Sequence, residues 1–334
     1  MTIEERYAEE TISHSGLSCL ERGPLIYRGY KSREENGSTK GKDLGTAIHC
    51  VVLEPERFSD EYLVSKFSIP TGKYATFVRE LFYSYTAGGN CNLIGDIKAT
   101  DIEYMVSNAR DKAELAASPV KCWEKLKSDD TLQKYWDYLV ESQGKFKLSI
   151  EDKEIADRCV LSIQKHDMAN ELLFGSALSD TYEELDIVWD HPSFKFKMRS
   201  IIDKLIVDTY SKTITMVDLK TTSKNVHQFK DAYEKYKYYR QLALYRQAVI
   251  WYCKNILKLD LEGWSFIDLI VAVQTTGNNE CAVYSPSKED LERGTNENYA
   301  LLKRMEWHFN EDKWEYPKEY YDNKGIITLK LDEQ

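Results

Sequence analysis

Chain breakers are scarce in this sequence: its 334 residues hold 16 glycines and 7 prolines, with no internal repeat and no low-complexity linker. That excludes a repeat array and favours one enlarged domain with appendages over a string of modules. Organised cysteine is absent too. The seven cysteines (Cys19, Cys50, Cys91, Cys122, Cys159, Cys253, Cys281) form no CxxC pair and no short Cys/His spacing, which argues against a zinc knuckle and a disulfide framework. No apolar run approaches the roughly 18 residues of a membrane helix. The opening "MTIEERYAEE" is acidic where a secretory signal is basic and then apolar, so a soluble, cytoplasmic protein without a membrane partner is expected. Excess positive charge is missing as well. A net charge of -10 excludes coating nucleic acid by bulk electrostatics, but it leaves room for a nuclease, whose acidic site is masked by bound cations.

Against these absences stand 42 % apolar and 30 % charged residues, a globular balance with enough material for a large core. The first part of the chain, to about residue 180, reads as mostly helical. In "DLGTAIHCVVLEP", Leu44, Ala47, Ile48, Val51 and Val52 recur at helical spacing until Pro55 stops the run, and His49 sits beside that stripe. Further helices are expected over Gly72 to Tyr85, Thr100 to Ala117 and Thr131 to Glu141. A long one should follow Ser149 as N-cap and run through "IEDKEIADRCVLSIQKHDMANELLF".

From Tyr182 the pattern changes to β-branched and aromatic runs, "EELDIVWD", "FKFKMRSIIDKLIVD", "TITMVDLKT", "FIDLIVAVQ" and "CAVYS". A helix from about Gln228 to Lys254 interrupts them, and another from about Ser287 to Phe309 follows. Three strands, a helix, then two strands predict an α/β (α+β) fold with a mixed sheet flanked by helices. Residues 181–286 would form the sheet core, between the helical N-terminal part and a C-terminal helix and tail over 287–334.

Within that core, "TITMVDLKTTS" places Asp218 and Lys220 on an otherwise apolar strand. If the two strands around "DTYSKT" pair with Asp208 opposite Thr213, residues whose numbers sum to 421 face each other, and Asp203 lies opposite Asp218. Lys220 shares their face by the two-residue period. Opposed like charges destabilise a strand pair and call for a cation, and a hard divalent ion on oxygen ligands, Mg²⁺ or Mn²⁺, is the natural one. An ammonium beside it can orient or deprotonate the attacking water and offset phosphorane charge. A plain Asp–Lys ion pair on a surface hairpin fits the tripeptide as well.

Glu184 opens the preceding strand as a candidate third carboxylate, although it also fits a solvated charge run. His49 is a candidate metal or phosphate ligand, or a satisfied core histidine. Downstream, "YEKYKYYRQLALYRQ" interleaves Tyr with Lys and Arg, and Gln241, Tyr245 and Tyr238 share a helix face. Such a face suits stacking on bases and contact with phosphates, as Lys237 and Arg240 would provide, or simply packing on the sheet.

Taken together and in order, these residues resemble the RecE-type exonucleases of phage recombination systems, members of the PD-(D/E)XK nuclease superfamily that also contains lambda exonuclease. The resemblance covers "GTAIHCVVLEPERF", the Glu184 to Trp189 strand, "RSIIDKLIVD", "VDLKTT", "YRQLALY" and "VYSPSKEDLERG", and is weakest between about Thr71 and Ser149. It implies that Asp218 and Lys220 are the D-x-K half-motif and that Asp203 is the earlier acid, with Ile202 where the motif's name has proline. It further implies that His49 joins the metal site with Glu184 and the Leu219 carbonyl, and that Gln241 and Tyr245 form the Q-x3-Y element that touches substrate.

The implied activity is Mg²⁺-dependent digestion of linear double-stranded DNA ends from the 5′ side, leaving a 3′ overhang for a single-strand annealing protein. The implied assembly is a homo-oligomeric ring, a trimer or tetramer, in a bacterial cytoplasm and of phage or prophage origin. "FKFKMRS" with Lys224, Lys230, Lys235 and Lys237 would line its channel. The iron-sulfur branch of the superfamily groups three C-terminal cysteines, and this chain has nothing beyond Cys281, so no Fe-S cluster and no zinc are expected. An endonuclease or single-strand nuclease on the same fold, or a non-catalytic DNA-binding assembly module, are the alternatives.

Overall fold

A computed structural model describes residues 11–32, 40–65, 67, 69–87, 99–175 and 179–327; Cys91 lies outside them. The chain, expected as one domain, divides into two compact units: residues 1–54 with 157–334, and Pro55–Ala156. The first unit opens with β1 (Thr11–Ile12), α1 (His14–Arg22), α2 (Pro24–Ser32) and α3 (Lys40–Leu53). The Ser13 hydroxyl accepts from the Gly16 amide and caps α1.

The second unit holds α4 (Phe58–Glu61), β2 (Tyr62–Val64), α5 (Lys73–Thr86), α6 (Ala99–Lys112), α7 (Pro119–Ser128), α8 (Asp130–Glu141) and β3 (Phe146–Leu148), which pairs in parallel with β2. Phe77, Leu81, Leu126 and Trp136 are buried in its own hydrophobic core. The helix expected to reach Ala117 stops at Lys112, because Glu114 turns left-handed (φ 52°) and Pro119 then starts α7.

The division falls within α9 (Ile150–Lys165). The long helix predicted to run on from Ser149 breaks at His166, which takes an extended conformation and caps α10 (Asp167–Phe174) by accepting from the Ala169 amide. The sheet follows as β4 (Asp180–Asp190), β5 (Lys197–Asp208) and β6 (Thr213–Thr222). Glu184 therefore sits inside β4, not at its start. The expected helix from Gln228 is split into α11 (Phe229–Lys235) and α12 (Tyr238–Asn255) by Lys237, which is left-handed at φ 54°. Then come β7 (Ser265–Gln274), β8 (Cys281–Tyr284), α13 (Lys288–Glu311), whose N-cap is Ser287, and α14 (Lys318–Asp322).

The architecture is the mixed one expected: a six-stranded sheet with helices against it. Its path runs β1-β5-β6-β7-β8, with β4 on the other side of β5. Strands β4, β5 and β6 are antiparallel neighbours, β6 and β7 are parallel, and β8 is antiparallel to β7. The β5–β6 hairpin has the predicted register, from Asp208 opposite Thr213 to Lys204 opposite Val217.

The pairs stop there, while β6 continues to Thr222 beside β7. Asp203 is thus where β5 and β6 part. The β4–β5 ladder, in which paired numbers sum to 387, also skips one rung, Glu184 with Asp203, between Glu183–Lys204 and Leu185–Ile202. Glu184 is left-handed there (φ 44°). Side-chain alternation changes phase at the same point: Met198, Ile202, Leu205 and Val207 all enter one core, although Ile202 and Leu205 are an odd number of residues apart. Each strand therefore turns two consecutive side chains toward one face at this rung, and this is where the acidic residues gather.

Candidate metal and nucleic-acid site

Helix α3 approaches β6 at Gly45, where a Cβ would stand 2.9 Å from the Thr221 hydroxyl. His49 lies four residues on, one turn along the same helix face, so the close approach brings its ring to the broken rung. His49 Nδ1 is 3.8 Å from Glu184 Oε1 and 3.8 Å from Asp203 Oδ2. One ligand atom from each of His49, Glu184 and Asp203 falls within 4.8 Å of the others. Asp203 is fixed from behind by the Leu219 amide, which donates to Oδ2 at 2.6 Å across the gap between β5 and β6.

The second half of the site is Asp218, 1 % exposed. Its Oδ1 accepts from Lys220 Nζ at 2.7 Å and from Gln241 Nε2 at 3.4 Å. Gln241 also donates to the Tyr245 hydroxyl at 2.9 Å, so the two residues read from sequence as one helix face are joined by a hydrogen bond. Tyr238 completes the wall, with the Lys220 ammonium 5.2 Å from its ring centre.

The electrostatics follow from burial and crowding. Burial raises the Asp218 pKa, the Lys220 ammonium opposes that, and the Asp203 charge adds to it; the carboxyl ends at about 6. For Lys220, burial acts downward, but Asp218 and Asp203 outweigh it and the pKa rises above the ordinary lysine value. Lys220 is therefore an ammonium. At His49 burial again acts downward, but the Asp203 charge and the Glu184 carboxylate outweigh it and raise the pKa. At Tyr245, burial and then the Asp218 charge push the phenol up to about 12, keeping it a neutral hydroxyl.

These residues fit a cation. Two carboxylates and an imidazole converge, among the described residues neither Glu184 nor Asp203 forms an ion pair with a lysine or arginine, and buried Asp218 Oδ2 has no hydrogen-bond partner. Oxygen donors with one nitrogen suit a hard or borderline divalent metal. The cluster can hold a metal ion; Asp218 stands beside it, engaged by Lys220, and Leu219, whose carbonyl was expected as a ligand, contributes its amide to Asp203.

Other expected residues lie elsewhere. Arg240, expected on DNA, is 1 % exposed, because its guanidinium binds Glu21 at 3.0 Å and Ser18 at 2.8 Å. Lys237 also turns to Glu21. In "FKFKMRS", Phe194 and Phe196 enter the core, while Lys197 pairs with Asp190 and Arg199 forms a two-pronged bridge to Asp186. Those cations are balanced by β4. A residue not foreseen is His14 on α1. Burial, then the charges of Arg240 and Lys220, lower its pKa to about 3, and its Nε2 is buried without a partner. The only signal in sequence was the Ser13 cap that starts its helix.

No family model and no curated protein matches this chain. The crystal structure of a candidate exonuclease from Eubacterium rectale aligns with 80 % of this chain and 97 % of its own, at 12 % identity and a TM-score of 0.36. A likeness at that level carries no weight here. Among the described residues no helix is long and apolar enough to cross a membrane.

Proposed function

We propose that the chain is a metal-dependent deoxyribonuclease of the PD-(D/E)XK type that degrades linear double-stranded DNA from its 5′ ends with Mg²⁺, Mn²⁺ substituting. One observation carries the reading: His49, Glu184 and Asp203 converge beside an Asp218–Lys220 pair whose second carboxylate oxygen is buried and unpartnered. When bound, the ion supplies electrophilic activation of a phosphodiester and an acidified water.

The chain's own side chains do the rest. Glu184, Asp203 and His49 hold the ion, with the Leu219 amide fixing the orientation of Asp203. Lys220, already an ammonium, offsets the charge that grows on the phosphate oxygens and orients the water, while deprotonation falls to other groups. Gln241 and Tyr245 keep Asp218 aimed, and the Tyr238 ring steadies Lys220. The reading is tested with linear duplexes labelled at the 5′ or 3′ end and with circular duplex, in Mg²⁺ or EDTA. Early release of the 5′ label from linear DNA, only in Mg²⁺ and abolished by Lys220→Ala with binding in Ca²⁺ retained, is the expected result. Cleavage of circles would instead identify an endonuclease. Near-wild-type cleavage by Lys220→Ala would overturn the assignment.

A further inference from the structure

Between α12, α13 and the turn from β4 into β5 lies a cavity of about 410 Å³ that shares no residue with the metal site. Its origin is the packing of the two helices. A Cβ at Gly294 on α13 would stand 2.7 Å from the Tyr239 carbonyl oxygen and 2.9 Å from Arg240 Cα, so the helix backbones touch there. Crossed helices diverge away from such a contact, and Trp189 to Pro192 line the wedge that opens. On α12 the lining residues Gln247, Ile250, Trp251 and Lys254 lie on the flank opposite Gln241 and Tyr245, at about 100° per residue. The cavity is therefore separate from the reactive centre, and its volume is that of a ligand pocket, for which about 300–1,000 Å³ is usual.

Its lining is aromatic, with a few polar groups that lack partners. Trp189 is 1 % exposed and its indole N–H already donates to Ser200 Oγ at 3.4 Å, so it offers only ring surface. Trp251 is half-buried and, among the described residues, stacks on no ring and meets no cation. Asn298 is 2 % exposed; its Nδ2 donates to the Arg240 carbonyl at 2.8 Å, while its Oδ1 is buried without a partner. A buried acceptor with no donor is uncommon and costly. The Gln247 amide, also in the lining, makes no hydrogen bond among the described residues.

The charges of the lining are uneven. Asp190 is bridged to Lys197 at 3.2 Å, whereas exposed Lys254 has no carboxylate partner among the described residues. Lys303, also without one, stands 4.7 Å from the centre of the Tyr299 ring, another wall of the cavity. In a chain of net charge -10, an aromatic cavity whose uncompensated charges are both positive favours an anion. A free ring face, an orphan acceptor and an unpaired ammonium together define the ligand by complement. We infer that this cavity is a binding site for a small planar aromatic anion, whose ring lies against Trp251, whose N–H edge is taken up by the Asn298 and Gln247 amides, and whose charge pairs with Lys254. Aromatic carboxylates and nucleoside monophosphates share that chemistry.

The inference does not depend on the nuclease reading. Indole-3-acetate, tryptamine and deoxyadenosine monophosphate are titrated by calorimetry in EDTA, so that no bound metal competes for the anion. The first two probes carry the same ring and opposite charges, and their difference reads the charge alone. Indole-3-acetate should bind wild type saturably, at about 1 mM or tighter, with tryptamine about fivefold or more weaker. Lys254→Glu should erase that preference, and Gln247→Ala should weaken both probes by about fivefold, the scale of one hydrogen bond. Thr295→Trp, which fills the cavity from an exposed position, should abolish binding at unchanged thermal stability. Displacement of indole-3-acetate by tighter-binding deoxyadenosine monophosphate would assign the site to nucleoside monophosphates; failure to displace it would assign aromatic carboxylates. Saturable binding of none of the three, or binding that Thr295→Trp and Lys254→Glu leave unaltered in stably folded protein, would overturn the site.

Discussion

Two adjacent rungs of the β4–β5 ladder hold opposite solutions to the same problem of charge inside a sheet. At Glu183–Lys204 the directly opposed residues have opposite charges, the ammonium is 5 % exposed, and it binds both the Glu183 carboxylate and the Leu173 carbonyl. That rung is closed: every charge has its partner and the backbone pairing is regular. One residue further, Glu184 and Asp203 bring two carboxylates together, the ladder skips a rung, and Glu184 adopts a left-handed backbone. This rung is open: the ion partner within 4 Å of both carboxylates is a histidine lent by helix α3. The contrast separates a structural ion pair from a candidate metal site on the same two strands, and it predicts that the two respond in opposite ways to substitution.

The largest expected effect is at the open rung. Asp203→Asn keeps the size and an oxygen for the Leu219 amide but removes one of the two charges that attract a cation. Cleavage should fall about a hundredfold or more, the scale for removing a charge-stabilising group from a reacting centre. The rise in melting temperature that Mn²⁺ gives wild type by binding the native state should shrink toward zero, with folding intact. A variant that retains the full Mn²⁺ shift would show that the ion sits elsewhere, with Asp218 the next site to examine.

At the closed rung the pattern should invert. Lys204→Met leaves Glu183 without its partner, and destabilisation of about 1–3 kcal/mol is expected in urea unfolding, the cost of an unsatisfied group in a partly buried position. Pairing it with Glu183→Gln should return part of that loss, because replacing both members of an ion pair is far milder than removing one. The Mn²⁺ shift should stay as in wild type in both variants. A large loss of metal binding in Lys204→Met would mean that the two rungs are coupled through the backbone.

Much of this was legible in the sequence, for a definite reason. The β5–β6 register followed from loop length alone, since the turn between Asp208 and Thr213 fixes every pair up to Lys204–Val217. Gln241 and Tyr245 followed from helical spacing. What periodicity could not show is where regularity fails. The phase change between Ile202 and Leu205, the left-handed Glu184 and the helix breaks at Lys237 and His166 all arise from tertiary packing, which propensity does not encode. Arg240 was misjudged in the same way. Its sequence neighbours place it on a helix rich in Tyr and basic residues, but its partners Glu21 and Ser18 come from the other end of the chain.

The smallest effect expected concerns how the open rung obtains its histidine. Gly45 is needed for clearance: a Cβ there would meet the Thr221 hydroxyl at 2.9 Å, closer than side chains normally pack. The obstacle is the end of a small side chain, so Gly45→Ala can be accommodated by a shift of a few tenths of an ångström between α3 and β6. Ala is also the better helix former, by about 1 kcal/mol, so stability should change little or rise. The shift is passed one turn along α3 to His49, which already stands 3.8 Å from both carboxylates. Metal affinity should therefore weaken about two- to tenfold while the fold holds, and Thr221→Ala in the same chain should return it by removing the hydroxyl that clashes. Weaker Mn²⁺ binding in Gly45→Ala that Thr221→Ala does not correct would show that α3 sets His49 by some contact other than this one, and would remove Gly45 from the account of how the open rung differs from its neighbour.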